Sequence, residues 1–178
     1  VSDSLVLADR EAARIQAAWE VLNDVLDPEV PALSVCDLGI VRDVLVRGEG
    51  LEVVLTPTYS GCPATEVIEH DVLAAINQAE LGPASVTLRR APAWTSDWIS
   101  AEGRRKLKDY GIAPPHLVTA GDAVPMRFFG RAEKAPALVC PRCGSNHTER
   151  LSPFGSTACK ALYRCLACRE PFEYFKPI

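Results

Sequence analysis

Two Cys-x-x-Cys pairs, Cys140-Pro-Arg-Cys143 and Cys165-Leu-Ala-Cys168, stand 21 residues apart and restrict the fold of the C-terminal region more than any other feature of this chain. Each pair lets two thiolates of one turn approach the same ion, and two such turns complete a tetrahedron. The intervening residues 160–164 and the later Phe172-Glu-Tyr-Phe175 have strand character, so the expected element is a zinc ribbon over residues 138–178. Soft four-sulfur sites suit zinc or iron, and zinc is the expected ion. For a module of about 40 residues the metal supplies folding energy that a small core cannot.

Seven cysteines in 178 residues is an odd count with a metal-type spacing. That pattern fits a reducing compartment better than a disulfide framework, and the expected location is the cytoplasm. No apolar run is long enough to span a bilayer, and no basic segment followed by an apolar stretch marks a secretory signal. Charge is uneven: residues 1–130 carry −8 and residues 131–178 carry +4. The acidic body argues against non-specific nucleic-acid binding by the whole chain.

The second organising stretch is Thr56-Pro-Thr58-Tyr-Ser-Gly-Cys62-Pro63. A strand over residues 51–55 stops at Pro57, and Pro63 suits a first helical position. This places Cys62 at or next to a helix N-cap, where free backbone N–H groups and the helix dipole favour a thiolate. The alternative is a small buried filler.

Periodicity predicts a helix over residues 9–26, with Ile15, Trp19, Leu22 and Val25/Leu26 inward, ending before Asp27-Pro28-Glu29. Strands follow at 40–46 and 51–55, joined through Gly48-Glu-Gly50, and then a helix over 64–80 with Val67/Ile68, Val72 and Ile76 inward. Gly82-Pro83 stops that helix, and a strand at 85–88 should lie parallel to 51–55, because a helical crossover joins them. A last helix spans about 96–110, with Trp94 and Trp98 anchoring it, and Arg104-Arg-Lys106 reads as a solvated face. The expected fold is α+β: an α-β-β-α-β-α sandwich over residues 1–110, a linker or strap at 111–137, and the zinc ribbon at 138–178.

Asp27-Pro-Glu29, Asp37-Leu-Gly-Ile-Val41, and Leu55-Thr-Pro-Thr58 followed by Gly61-Cys62-Pro63 resemble the iron–sulfur assembly domain of SufT-type proteins and cytosolic iron–sulfur targeting factors. Trp98-Ile-Ser-Ala-Glu-Gly-Arg-Arg-Lys-Leu, Tyr110-Gly-Ile-Ala-Pro-Pro, the four-cysteine tail and Phe154-Gly-Ser-Thr-Ala-Cys-Lys-Ala-Leu-Tyr are similar to the narrower PaaD (PaaJ) family of phenylacetate degradation. The resemblance implies a maturation factor, not an enzyme, for the iron–sulfur centre in the reductase component of the monooxygenase that epoxidises phenylacetyl-CoA. It implies Cys62 as the functional thiol, with Asp27 and Thr58 as accompanying site residues, and the reductase and the iron–sulfur assembly machinery as partners. One thiolate does not hold a cluster stably, so a second subunit, a client or a small thiol must complete any transient iron or cluster site.

Competing readings are a thiol enzyme using Cys62 with His70, His116 or His147 as base, a ribbon binding nucleic acid, and a non-catalytic structural subunit of the oxygenase. Cys36 is expected as a packed thiol, and Cys159 and His147 lie outside the expected metal set. No paired Glu-x-x-His pattern supports di-iron chemistry, and no Gly-rich nucleotide loop follows a strand.

Overall fold

A computed structural model describes residues 2–59, 61–117 and 138–178, with side chains from residue 7 onward. The chain divides into two units, residues 1–94 with 98–103, and residues 95–97 with 104–178.

In the first unit, α1 (Ser2–Leu22), β1 (Val41–Arg47), β2 (Gly50–Leu55), α2 (Thr65–Gln78) and β3 (Ala84–Leu88) build a three-stranded sheet of order β1-β2-β3. The hairpin β1–β2 is antiparallel, and β3 lies parallel to β2 with Leu55 opposite Leu88, as the helical crossover requires. Leu51, Val53 and Leu55 of β2 are almost fully buried, as are Ala18 and Leu22 of α1 and Val72 and Ile76 of α2. Arg14 on α1 donates to the carbonyls of Glu49 and Leu81, both at 2.8 Å, which ties the hairpin turn to the end of α2.

Several boundaries differ from the sequence expectation. Helix α1 stops at Leu22: the Asn23 side chain donates to the Trp19 carbonyl, and the chain turns to pair Leu26 with Ser34. Val25 is buried from outside the helix, while Leu26 is exposed. Helix α2 ends at Gln78, and Glu80 takes the left-handed conformation (φ 53°) before Gly82 is reached. Of the expected pair Val67/Ile68, only Ile68 faces inward.

The last helix is also shorter. Ser96–Trp98 is a single 3-10 turn, and α3 (Ala101–Tyr110) begins only after Ser100. The Ser100 hydroxyl accepts from the Gly103 N–H at 2.8 Å and donates to Asp37 at 3.2 Å, so Ser100 caps the helix and fixes its start. Asp37 is itself buried, and its other oxygen accepts from the Ser34 N–H at 3.1 Å. Contacts divide the chain inside α3, between residues 103 and 104, where the sequence suggests a boundary after residue 110.

The second unit carries a four-stranded sheet of order β4-β7-β6-β5, made by β4 (Ile112–Ala113), β5 (Thr148–Ser152), β6 (Lys160–Cys165) and β7 (Pro171–Phe175). Strands β6 and β7 confirm the two stretches with strand character, whereas β5 has no counterpart in the sequence reading. Ile112 and Ala113, expected in the linker, pair in parallel with Glu173 and Tyr174. Ala113, Ala161, Tyr163, Phe172 and Tyr174 pack with Cys140 and Cys165 into one small core. Tyr163 stacks on Phe172 and meets Tyr174 edge-on, each at 5.8 Å between centroids, so aromatic rings fill space that few aliphatic residues occupy. Residues 118–137 of the expected strap lie outside the described residues.

Candidate functional site

The loop from Thr56 to Ala64 leaves β2 at the end where Arg89 N–H bonds Leu55 C=O, beside the parallel strand β3. Thr56 anchors the loop, because its N–H donates to the Ile40 carbonyl at 2.8 Å. Its hydroxyl oxygen is buried and has no hydrogen-bond partner among the described residues, a costly condition for a polar atom. Sequence reading places Thr56 in the motif but cannot reveal that burial.

Cys62 is half-buried and lies two residues before the cap residue Ala64, one position further out than the expected place at or next to the N-cap. Its N–H donates to Tyr59 C=O at 3.3 Å, and its own carbonyl accepts from Thr65 N–H at 3.2 Å. The chain therefore closes a tight turn over 62–65, and the backbone oxygen of Cys62 takes a free amide at the helix start. Ala64 is the cap residue and offers no side-chain bond, while Pro63 precedes the helix. Exposed Gly61 adopts φ 87°, a conformation that favours glycine and turns the chain just before the thiol.

Asp27 is buried, and its Oδ1 accepts from the N–H groups of Glu29 (3.0 Å) and Val30 (2.7 Å). It therefore shapes the turn after α1. Thr58 is half-buried in the Cys62 loop. Cys36 is half-buried, less enclosed than the packed thiol expected, and desolvation first, then the Asp37 carboxylate, push it up to about 12. The histidines considered as bases have other neighbours, His70 lying 3.1 Å from Asp71 and His116 2.9 Å from the Tyr174 hydroxyl.

In the second unit the sulfurs of Cys140, Cys143, Cys165 and Cys168 all lie within 4.8 Å of one another. The Cys140–Cys168 and Cys143–Cys165 separations are 3.8 and 3.5 Å. Four sulfurs about 2.3 Å from a central ion stand about 3.8 Å apart along each tetrahedral edge, so the donor set fits one metal ion. Disulfide bonds, at about 2.05 Å, do not fit these separations. The Cys168 N–H, 3.5 Å from Cys165 Sγ, is the largest influence drawing the Cys165 thiol down to about 6. At Cys168 the pull of the Glu170 amide is overruled by burial and the neighbouring thiols, which push it up to about 12. A cation at the centre removes that conflict and lets all four ionise. Cys159 is buried, 3.0 Å from the Thr157 hydroxyl, and Cys159 and His147 stand outside the donor set.

Comparison with known proteins agrees with this division. Residues 15–87 match the family model described as iron–sulfur cluster assembly protein, and residues 127–176 match the PaaD zinc beta ribbon domain. The chain is 46% identical over 172 residues, 97% of its own length and 98% of the relative's, to a "Putative 1,2-phenylacetyl-CoA epoxidase" subunit from Escherichia coli (strain K12). A crystal structure of a domain of unknown function, DUF59, from Bacillus anthracis is 26% identical with a TM-score of 0.52, covering 56% of this chain and 96% of that one. With an assembly-type domain at one end, a four-cysteine ribbon at the other and near full-length similarity to a protein named as an epoxidase subunit, the chain belongs to the PaaD family.

Proposed function

We propose that this chain is a cytoplasmic, non-catalytic maturation factor for the iron–sulfur centre in the reductase component of phenylacetyl-CoA epoxidase. The observation that carries the reading is Cys62, a half-buried thiol on a strand-to-helix loop inside the region matched by the iron–sulfur assembly family. Iron or a cluster is the cargo. Cys62 contributes one ligand, a second subunit, the assembly machinery or the reductase contributes the rest, and transfer is ligand exchange onto reductase thiolates. Asp27 acts by shaping the turn after α1, and Thr58 belongs to the loop that presents the thiol. The ribbon over 138–178 holds zinc on Cys140, Cys143, Cys165 and Cys168 as a structural ion, distinct from the cargo.

Cys62→Ser tests this reading. The variant is expected to keep its fold and its ribbon metal and to lower the iron and sulfide content of a co-expressed reductase. A reductase fully loaded beside Cys62→Ser refutes it.

The relative's name favours one second reading, a stoichiometric subunit of the epoxidase. Purification of the active complex separates the two: a stoichiometric component stays at one copy per complex, and a maturation factor leaves.

A further inference from the structure

The second unit contains a cavity of about 360 Å³, a volume at the small end of the range for small-molecule sites. Its apolar walls are Ala113, Pro114 and Pro115 beyond α3, and Leu138, Val139 and Pro141 around the metal-set residue Cys140. Each wall is held by a neighbouring element. Ala113 pairs with Tyr174 of β7, and Arg104 Nη1 donates to Pro115 C=O at 2.6 Å. Thr148 Oγ1 accepts from Leu138 N–H at 3.0 Å and donates to Leu138 C=O at 2.9 Å. Pro141 sits in the turn closed by Gly144 N–H on Cys140 C=O at 2.9 Å. The rings of Pro114, Pro115 and Pro141 fix the backbone further, so the cavity keeps its shape without an occupant. Val139 is left 56% exposed, beside the fully buried Cys140.

The lining has two polar side chains, and both bring donors. Lys108 pairs with no carboxylate among the described residues, and the adjacent Asp109 is taken by Arg105 at 2.7 Å. His116 Nδ1 lies 2.9 Å from the Tyr174 hydroxyl, and the His116 backbone N–H bonds the same phenol. Desolvation first, then Tyr163, push Tyr174 up to about 12, so it remains a protonated phenol. With its oxygen accepting from the backbone N–H, its hydrogen goes to Nδ1, which in a neutral imidazole puts the ring hydrogen on Nε2. No acidic side chain among the described residues lines the cavity. Hydrocarbon walls with two donors and no acid match a hydrocarbon body carrying one negative oxygen group. A more highly charged occupant would leave charge unpaired against the walls.

We propose that this cavity binds a small monocarboxylate with an apolar body, the carboxylate taken by Lys108 and His116 and the body by the proline, leucine and valine walls. The site is separate from the Cys62 loop and does not depend on cargo transfer there.

Phenylacetate and octanoate serve as aromatic and aliphatic probes, titrated by calorimetry into the full-length, metal-loaded chain; the relative's name motivates the first. At least one should fill a single site with a dissociation constant of about 1 mM or tighter, the scale of a well-buried ligand of about ten non-hydrogen atoms. Phenylacetamide and octanamide, which keep the shapes and lose the charge, should each bind about 10-fold more weakly than the acid. Lys108→Met should weaken the acid about 5-fold and leave the amide unchanged. Val139→Trp fills the cavity from an exposed position and should abolish binding, with metal content and the near-ultraviolet signal of Tyr163 and Tyr174 unchanged. Saturating acid should also raise the unfolding midpoint read from those tyrosines, since only the folded unit binds it. Absence of saturable binding by both probes up to about 10 mM overturns the proposal. Binding that survives Val139→Trp, or an amide that binds as tightly as its acid, overturns it too. Cys62→Ser should leave every titration unchanged, so failure here is distinct from a fully loaded reductase beside that variant.

Discussion

Removing the Glu173 carboxylate should damage the second unit far more than removing the whole ion pair. Lys160 is 3% exposed and Glu173 23% exposed at the side chain, so water reaches the acid but hardly reaches the ammonium. Glu173→Ala leaves that ammonium without its carboxylate and frees the Ser156 N–H, at an expected cost of about 3 kcal/mol, the lower end for breaking a buried pair because one partner is partly wet. Lys160→Met leaves Glu173 with water and its Ser156 bond and should cost about 1 kcal/mol. The double variant Lys160→Met/Glu173→Gln keeps volume and the Ser156 acceptor, and should cost about 1 kcal/mol or less. Urea unfolding of the zinc-saturated chain can assign these costs to a unit. Trp19, Trp94 and Trp98 all lie in the first unit, so tryptophan fluorescence reports it alone. Near-ultraviolet circular dichroism from Tyr163 and Tyr174, together with metal release, reports the second. Separate probes are required because two units need not share one unfolding transition. If Glu173→Ala costs no more than the double variant, or if its cost appears in the tryptophan transition, the account of the loop is wrong. The pair also has a pH signature. Burial alone would raise the Glu173 carboxyl, but Ser156 and Lys160 overrule it and hold it below its ordinary value of 4.5. A depressed carboxylate stabilises the fold above the unfolded value and loses that contribution as pH falls through the folded one. The stability gap between wild type and Glu173→Gln should therefore narrow below about pH 4.5.

Other measurements check other parts of the structure. Cys36, pushed up to about 12, is ionised in about one molecule in ten thousand at pH 8, so iodoacetamide should modify Cys62 and leave Cys36 untouched in peptide mass spectra. Equal labelling of both would contradict the raised Cys36 thiol. Asp37→Ala removes the acceptor shared by Ser34 and Ser100 and should cost about 2–3 kcal/mol, visible in the tryptophan transition. Stripping the metal with a strong chelator should abolish the tyrosine signal and the packing around Tyr163 while the tryptophan transition stays in place; coincident loss of both would show that the units are not independent.

What could be read from the sequence follows the range of the forces involved. The four-cysteine set was legible because each pair lies within one turn, where spacing alone determines whether two sulfurs can meet. The parallel β2–β3 pair was legible because a strand-helix-strand run has one common solution. The start of α3 was not. Ser96 and Ser100 are both suitable cap residues, and the choice is made by Asp37, 63 positions from Ser100. At α2, the glycine at 82 looked like the terminator, but Glu80 takes the left-handed turn. Cys62 likewise misses the N-cap because the turn over 62–65 uses its carbonyl, a choice that residue identities do not dictate.

Lys160 and Glu173 show why loop geometry is the hardest part to read. Neither sits at a spacing that marks an ion pair; they meet because β6 and β7 run antiparallel with Lys160 opposite Phe175 and Leu162 opposite Glu173. From that register Glu173 can bridge to the Ser156 N–H, and the loop becomes a fixed feature instead of a polar excursion. The Cys62 loop has a comparable anchor, since the Thr56 N–H is secured to Ile40 at the end of β2. In both units strand pairing supplies the rigid end from which a loop departs. Rigid strands with functional loops let each unit change its surface chemistry without disturbing its core. Substitutions at Asp37 and Glu173 should therefore alter stability in the first and second units respectively, each read by its own probe.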